Sequence, residues 1–300
     1  MREAPIVGRG APASEAPPDA VLEKTVAAAM EVLRARPAGL VTDLDGTLSP
    51  IAPTPEEAFI LPDCRAGLRQ LARRLHLVAV VSGRSAGEAR RIVGLRKIVY
   101  VGNHGLDRWE AGRQRGRAAA RPWRAALTAV MASLRRELTG LPGLRIEDKG
   151  VSFSIHYRGA PNHGAARAAV LAAAQRAAAP YCLSLREAKK VVEVGPPAWP
   201  GKAEAVVDLV SRFGLRSLVY LGDDRPDLEV CRRLRELAAG GLKALTIAID
   251  GPEAPAELRQ AADRVLAGPQ EAAAFLSSLA QAMRTADDGR ASGKSLALTA

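Results

Sequence analysis

The chain has 300 residues, 48% hydrophobic and 25% charged, enough apolar surface for a real core and too much for a wholly disordered protein. No window approaches about 18 uncharged apolar residues, which excludes a membrane-spanning helix. The net charge is +11, from 35 Arg and 8 Lys against 32 acids, but aromatics are only 4% and there is no Lys/Arg block, so nucleic acid is not the expected partner. Cys64, Cys182 and Cys231 form no CxxC pair and fit a reducing, cytoplasmic setting.

Residues 1 to about 18 are rich in Pro, Ala and Gly and read as a loose arm without the apolar core of a signal peptide. A helix is predicted from Asp19 through Val21, Val26, Met30 and Leu33, ended by Pro37. Five short apolar runs then alternate with helix-period segments: Gly39–Asp45, Leu77–Val81, Ile98–Val101, Ser217–Leu221 and Ala244–Ile249. Runs apolar on both faces belong to a parallel sheet covered by helices. The helices between them include one opened by Pro62-Asp63, with Leu68, Leu71 and Leu75 on a single face, and one near Ala203, with Val206, Leu209 and Val210. The reading is α/β, a Rossmann-like doubly wound core with a parallel sheet flanked by helices.

The middle of the chain departs from that rhythm. A helix at about 122–138 is followed by Leu144–Asp148, a Lys149-Gly150 turn, and Val151–Tyr157, which alternates with period 2. A second helix at about 162–177 leads to Tyr181–Leu185 and Val191–Val194. Helix, two strands, helix, two strands describes a small α+β domain inserted into the larger one. The expected organisation is an arm and helix at 1–36, a core at 37–107 and 198–284, an inserted domain at 108–197 and a flexible tail at 285–300. Eight Arg and one acid between Ala111 and Arg145 are read as helix surface near the hinge of the insertion.

Ligands of open α/β sheets bind at the carboxyl ends of the strands. Those ends read Asp43-Leu-Asp45-Gly46-Thr47, Ser82-Gly83-Arg84, Gly102-Asn103-His104-Gly105 and Gly222-Asp223-Asp224, with Asp227 beyond. Asp43, Asp45, Asp223 and Asp224 would crowd like charges unless a cation compensates them, and hard oxygen donors suit Mg²⁺. Ser82 with the following backbone N–H groups suits an anion, and Lys202, after Trp199-Pro200-Gly201, can neutralise a phosphate as a point charge. Taken singly, each of these is as readily a cap or a solvated side chain; their combination is what carries weight.

In this order, DxDGT, Ser82, Lys202 and GDDxxD resemble the haloacid dehalogenase superfamily of phosphotransferases. The resemblance implies that Asp43 is the nucleophile and Asp45 the general acid/base. It implies that Ser82 and Lys202 hold the phosphoryl group, and that Asp43, Asp45 and Asp223 hold Mg²⁺, with Thr47, Gly83, Arg84, Asp224 and Asp227 in support. The insertion falls where the superfamily places its larger, C2-type cap. Leu48-Ser49-Pro50-Ile51, GNHGL from Gly102, IEDKG from Ile146, His156-Tyr157-Arg158, and Lys189 with Glu193 resemble the trehalose-6-phosphate phosphatase family, over about residues 37 to 280. That likeness implies hydrolysis of trehalose 6-phosphate, with Asn103, His104, Asp107, Glu147, Lys149, Arg158, Lys189 and Glu193 around the sugar and a trehalose-phosphate synthase as a possible partner. His156 is read as a structural histidine. The family has Glu at Asp107 and Thr at Pro226, departures that remove no catalytic group. The alternatives are the same chemistry on another sugar phosphate (a glucosyl- or mannosyl-phosphoglycerate, or sucrose 6-phosphate), or a non-catalytic sugar-phosphate sensor.

Overall fold

The computed structural model describes residues 18–297, apart from 117, 189, 198 and 253. The first half runs α1 (Pro18–Val32), β1 (Ala38–Thr42), α2 (Pro62–Leu71), β2 (Leu77–Val81), α3 (Ala86–Val93), β3 (Val99–Gly102), β4 (Asp107–Glu110) and β5 (Arg113–Gly116). There follow α4 (Arg124–Glu137), β6 (Arg145–Asp148), β7 (Phe153–His156), α5 (His163–Ala178), β8 (Ser184–Ala188) and β9 (Val191–Gly195). The chain then runs α6 (Lys202–Arg212), β10 (Ser217–Gly222), α7 (Arg225–Ala239), β11 (Lys243–Asp250), α8 (Ala256–Ala261), β12 (Arg264–Ala267) and α9 (Gly268–Ala297).

Two sheets result. The large one has the order β12-β11-β10-β1-β2-β3-β4-β5, parallel from β12 to β3 and antiparallel at β4 and β5. Its central strands bury alternate residues on opposite faces, as a two-sided strand must. Leu40, Val80, Val219 and Leu221 pack against α1, α2, α3 and α9, whereas Val41, Ala79, Val81, Leu218 and Tyr220 pack against α6 and α7. The small sheet, β6-β7-β9-β8, is antiparallel and carries α4 and α5 over its own core, including Leu134, Phe153, Val170 and Val192. Helix ends follow the sequence. Pro62 opens α2, and the Ser85 hydroxyl accepts the Glu88 N–H at 3.2 Å to cap α3, which closes on Gly94 at φ +71°.

One expectation fails. The large sheet continues past the border expected near Arg108, through β4 and β5, so Arg113 and Arg115 lie on an edge strand and not on a helix. The hairpin between these strands turns at Ala111 and Gly112, both with positive φ, as a two-residue turn requires. Alanine at the first of these positions gives no turn signal. Of the tail expected at 285–300, residues 285–297 continue α9, which packs on the core through Leu279 and Met283, so that each further residue adds one hydrogen bond to an existing helix; residues 298–300 lie outside the described residues. The arm at 1–17 lies outside the described residues.

Candidate active site

The strand-end motifs lie along the carboxyl edge of the large sheet. Asp43 follows β1, and its N–H donates to the Leu221 carbonyl of β10 at 2.9 Å. Ser82 follows β2 and bonds to the Val101 carbonyl of β3 at 2.9 Å, while Asp223 follows β10. Gly46 has φ +83°, and a Cβ there would lie 2.1 Å from Asp223 Oδ2. Glycine alone permits both this backbone and this approach, so the DxDGT loop can sit against the later aspartate. The Thr47 hydroxyl fixes that aspartate by donating to Asp223 Oδ1 at 3.0 Å.

Lys202, the first residue of α6, is buried among carboxylates. Its Nζ lies 2.7 Å from Asp43 Oδ2, 2.9 Å from Asp227 Oδ1 and 3.0 Å from Asp224 Oδ1. Asp227 is the anchor of the group. Besides Lys202, it accepts the Tyr220 hydroxyl at 2.5 Å and the N–H groups of Asp223 and Asp224 at 2.9 and 2.8 Å. Burial pushes its pKa up, but Lys202 and these hydrogen bonds outweigh burial and bring it down to about 2. Asp43 goes the other way. Burial, with Asp227 and Asp223 beside it, pushes it well above the carboxylate range although Lys202 opposes them. Three aspartates therefore share one lysine, and a fourth, Asp223, lies beside Asp43.

That charge imbalance is the test of a metal site. Carboxylate oxygens of Asp43, Asp223 and Asp227 lie within 4.8 Å of one another. The donors are all oxygen, and their excess negative charge is what a hard divalent cation offsets. Asp227 already has both oxygens engaged, so Asp43 and Asp223 are the residues able to hold one. The Asp45 carboxylate, expected among the ligands, turns elsewhere: Arg84 donates to it from Nε at 2.7 Å and Nη2 at 3.0 Å, and from Nη1 to Glu88. A planar guanidinium matches both oxygens of a carboxylate at once, and this pairing wins over the cluster.

The small sheet forms the roof. Register places Glu147 opposite Ser154 and Ser154 opposite Glu193, one row across three strands, with Arg145, His156 and Val191 in the next row. Lys149 Nζ donates to the Gly83 carbonyl at 2.8 Å and to Glu193 Oε1 at 2.9 Å. Glu193 also accepts the Ser154 hydroxyl at 3.2 Å and lies 3.0 Å from His104 Nε2. Burial raises the Glu193 pKa, but Lys149 and His104 overcome it and hold the group well below the carboxylate range. The roof is thus tied to the core through a buried ion network, and Arg145 adds an exposed pairing with Glu56. Between roof and core lies a cavity of about 370 Å³, lined by Asp43, Asp45, Ser82 and Lys202 on one side and by Glu147, Arg158 and Glu193 on the other.

Comparison with known proteins agrees with this geometry. A family model described as trehalose-phosphatase matches residues 41–263. The chain belongs to the trehalose-phosphatase family. A trehalose-phosphate phosphatase of Mycobacterium tuberculosis is 34% identical over 203 residues, covering 65% of this chain and 51% of that protein. A probable trehalose-phosphate phosphatase 4 of Oryza sativa subsp. japonica is 29% identical over 211 residues, 66% of this chain and 56% of that protein. The chain therefore spans about half the length of the curated relatives it matches. In fold it resembles the C-terminal domain of the Candida albicans trehalose-6-phosphate phosphatase, with a TM-score of 0.70 at 20% identity over 87% of this chain and 96% of that one. It also resembles a trehalose-6-phosphate phosphatase related protein, with a TM-score of 0.68 at 21% identity over 81% and 97% of the two chains.

Within the family frame, the structure brings together most of the residues expected at the site. Asp43, Asp45, Ser82, Gly83, Arg84, His104, Glu147, Lys149, Arg158, Glu193, Lys202 and Asp224 line one cavity, and Thr47, Asp223 and Asp227 brace it from behind. Lys189 lies outside the described residues. Asn103 and Asp107, expected on the sugar, stand behind the wall. Asp107 accepts the Ala86 N–H at the start of α3 at 3.1 Å, the Asn103 amide at 3.0 Å and the Gln114 amide at 3.2 Å. A helix N-terminus holds the carboxylate there. Asn103 is fully buried; it bonds Ser152 and accepts the Trp199 indole N–H at 2.9 Å. Asn103 and His104 both have positive φ, which turns the imidazole toward Glu193. His156 and Arg145 line the cavity without having been singled out as ligands; their place on the strand face shared with Glu147 and Ser154 was the available signal.

Proposed function

We propose that the protein hydrolyses trehalose 6-phosphate to trehalose and phosphate, with Mg²⁺ as its metal, and that a trehalose-phosphate synthase supplies the substrate. The observation that supports this reading is one cavity lined by Asp43, Asp45, Ser82 and Lys202 on its floor and by Glu147, Arg158 and Glu193 on its roof. Its volume suits one small ligand.

Asp43 is the nucleophile. One of its oxygens attacks phosphorus, the bond from phosphorus to the sugar oxygen breaks, and Asp45 delivers a proton to that oxygen. Water then attacks the aspartyl-phosphate, Asp45 takes the water proton, and the bond between phosphorus and Asp43 breaks to release phosphate and restore the carboxylate. Lys202, 2.7 Å from Asp43, opposes the effect of burial and favours the ionised nucleophile. Lys202 and the Ser82 hydroxyl face the transferring group. A Mg²⁺ held by Asp43 and Asp223 would offset the negative charge of the phosphoryl oxygens. Arg84 positions Asp45 at the cavity wall. The inserted domain, running from the end of β5 to about residue 197, acts as the cap that excludes water from the first step.

The test is phosphate release from a panel of sugar phosphates, with Mg²⁺ or EDTA, by the wild type and by Asp43→Asn. Mg²⁺-dependent release selective for trehalose 6-phosphate, and lost in Asp43→Asn, is the expected result. Selective turnover of another sugar phosphate would keep the chemistry and overturn the substrate. A folded protein inactive on every member would leave the sensor reading in its place.

A further inference from the structure

We propose that His156 is a positioning residue that fixes Glu147 for a sugar hydroxyl and thereby sets selectivity for the disaccharide leaving group. This inference rests on the trehalose 6-phosphate reading of the site. His156 ends β7, and Glu147 lies on β6; the pairs Arg145↔His156 and Glu147↔Ser154 make His156 and Glu147 diagonal neighbours on the roof face. His156 Nε2 is 2.8 Å from Glu147 Oε2, and the two side chains are 20% and 18% exposed. Both line the cavity.

The second roof carboxylate explains why Glu147 matters. Glu193 has both oxygens in use, Oε1 by Lys149 and Ser154 and Oε2 by His104. These three contacts tie it to both the roof and the core. Glu147 differs. Its Oε2 is held by His156, and its Oε1 accepts no hydrogen bond among the described residues. Its side chain is 18% exposed against 5% for Glu193, so it is the more accessible of the two acceptors on the roof. Burial pushes its pKa up, but His156, Lys149 and Arg145 together hold it below the usual value, so it stays an anionic acceptor. A glutamate has several rotamers, and a charged acceptor discriminates between hydroxyl arrangements only when one rotamer is kept. His156 is the group that keeps it.

Steady-state kinetics on trehalose 6-phosphate and on p-nitrophenyl phosphate, which carries no sugar, tests this. The proteins are the wild type, His156→Leu, His156→Gln, Glu147→Gln and the double variant His156→Leu/Glu147→Gln. His156→Leu should raise KM for trehalose 6-phosphate about tenfold, with a smaller effect on kcat. The ratio of kcat/KM between the two substrates should fall by the same order. His156→Gln, whose amide can present an N–H near the position of Nε2, should recover most of the loss. In the Glu147→Gln background, His156→Leu should add little, because it acts through the carboxylate already removed. Equal losses on both substrates, or additive losses in the double variant, would overturn the proposal. A wild type that cleaves p-nitrophenyl phosphate but not trehalose 6-phosphate would overturn the substrate reading itself, and this inference with it.

Discussion

Asp227 touches no substrate in the mechanism above, yet its neutral isostere should be among the more damaging single changes in the core. Its carboxylate accepts four hydrogen bonds, two on each oxygen: Lys202 and Tyr220 on Oδ1, the N–H groups of Asp223 and Asp224 on Oδ2. Asparagine offers one acceptor oxygen and one NH₂. Whichever way the amide is turned, its NH₂ faces two donors, either the two backbone N–H groups or the ammonium and the phenol. Asp227→Asn therefore loses two hydrogen bonds to a charged acceptor, at about 1.5–3 kcal/mol each, or about 3–6 kcal/mol together. Stability of that size is a large part of the total for a folded domain and should lower the thermal midpoint by about 10 °C. Asp224→Asn is the control. Asp224 is about a quarter exposed and takes Lys202 at 3.0 Å, so less than half of that loss is expected. Circular dichroism melts of both variants in EDTA make the comparison. An Asp227→Asn midpoint within about 2 °C of wild type, or a larger loss in Asp224→Asn, would refute the assignment of Asp227 as the anchor.

Further outcomes follow from the same contacts. Arg84→Lys keeps the charge but cannot bind both Asp45 oxygens in a fork, so kcat should fall about 10- to 100-fold with a smaller change in KM; unchanged kcat in steady-state assays would remove Arg84 from the positioning of Asp45. Glu193 has a pKa held below its ordinary 4.5, so its charge stabilises the fold fully above that value and the contribution disappears as pH falls through the lower, folded value. The difference in urea unfolding free energy between wild type and Glu193→Gln should then be flat from about pH 8 to 5.5 and shrink only below the ordinary value; a decline already under way between about pH 7 and 5.5 would contradict the ion network. Mg²⁺ should raise the wild-type melting midpoint, by the equivalent of about 2.7 kcal/mol at 100 times its dissociation constant, and raise that of Asp223→Asn much less. Equal shifts in the two proteins would place the cation elsewhere.

The architecture was legible in the sequence because it rests on local signals. Five apolar runs without a polar face, each ending in glycine and aspartate, serine or asparagine, suit only strands buried on both sides with chemistry at one edge. The β6–β7 hairpin followed from period-2 alternation around Lys149-Gly150. The gathering of Asp43, Ser82, Lys202 and Asp223 followed from their positions at strand ends or a helix start, since a parallel sheet brings all such ends to one side.

Only the tertiary structure decided which partner each charged group takes. Asp45 could have joined the aspartate cluster, but Arg84, distant in sequence, reaches it with a better geometric match. Asp107 could have reached a sugar, but the N–H of Ala86 and two amides claim its carboxylate first. His156 could have been buried filler, but the strand pairing sets it beside Glu147 on the cavity wall. The physical reason is common to all three. Periodicity fixes the face a side chain occupies, because it depends on bonds within one segment; the hydrogen bond that side chain makes depends on which long, flexible groups from other segments arrive at the same place and satisfy it best.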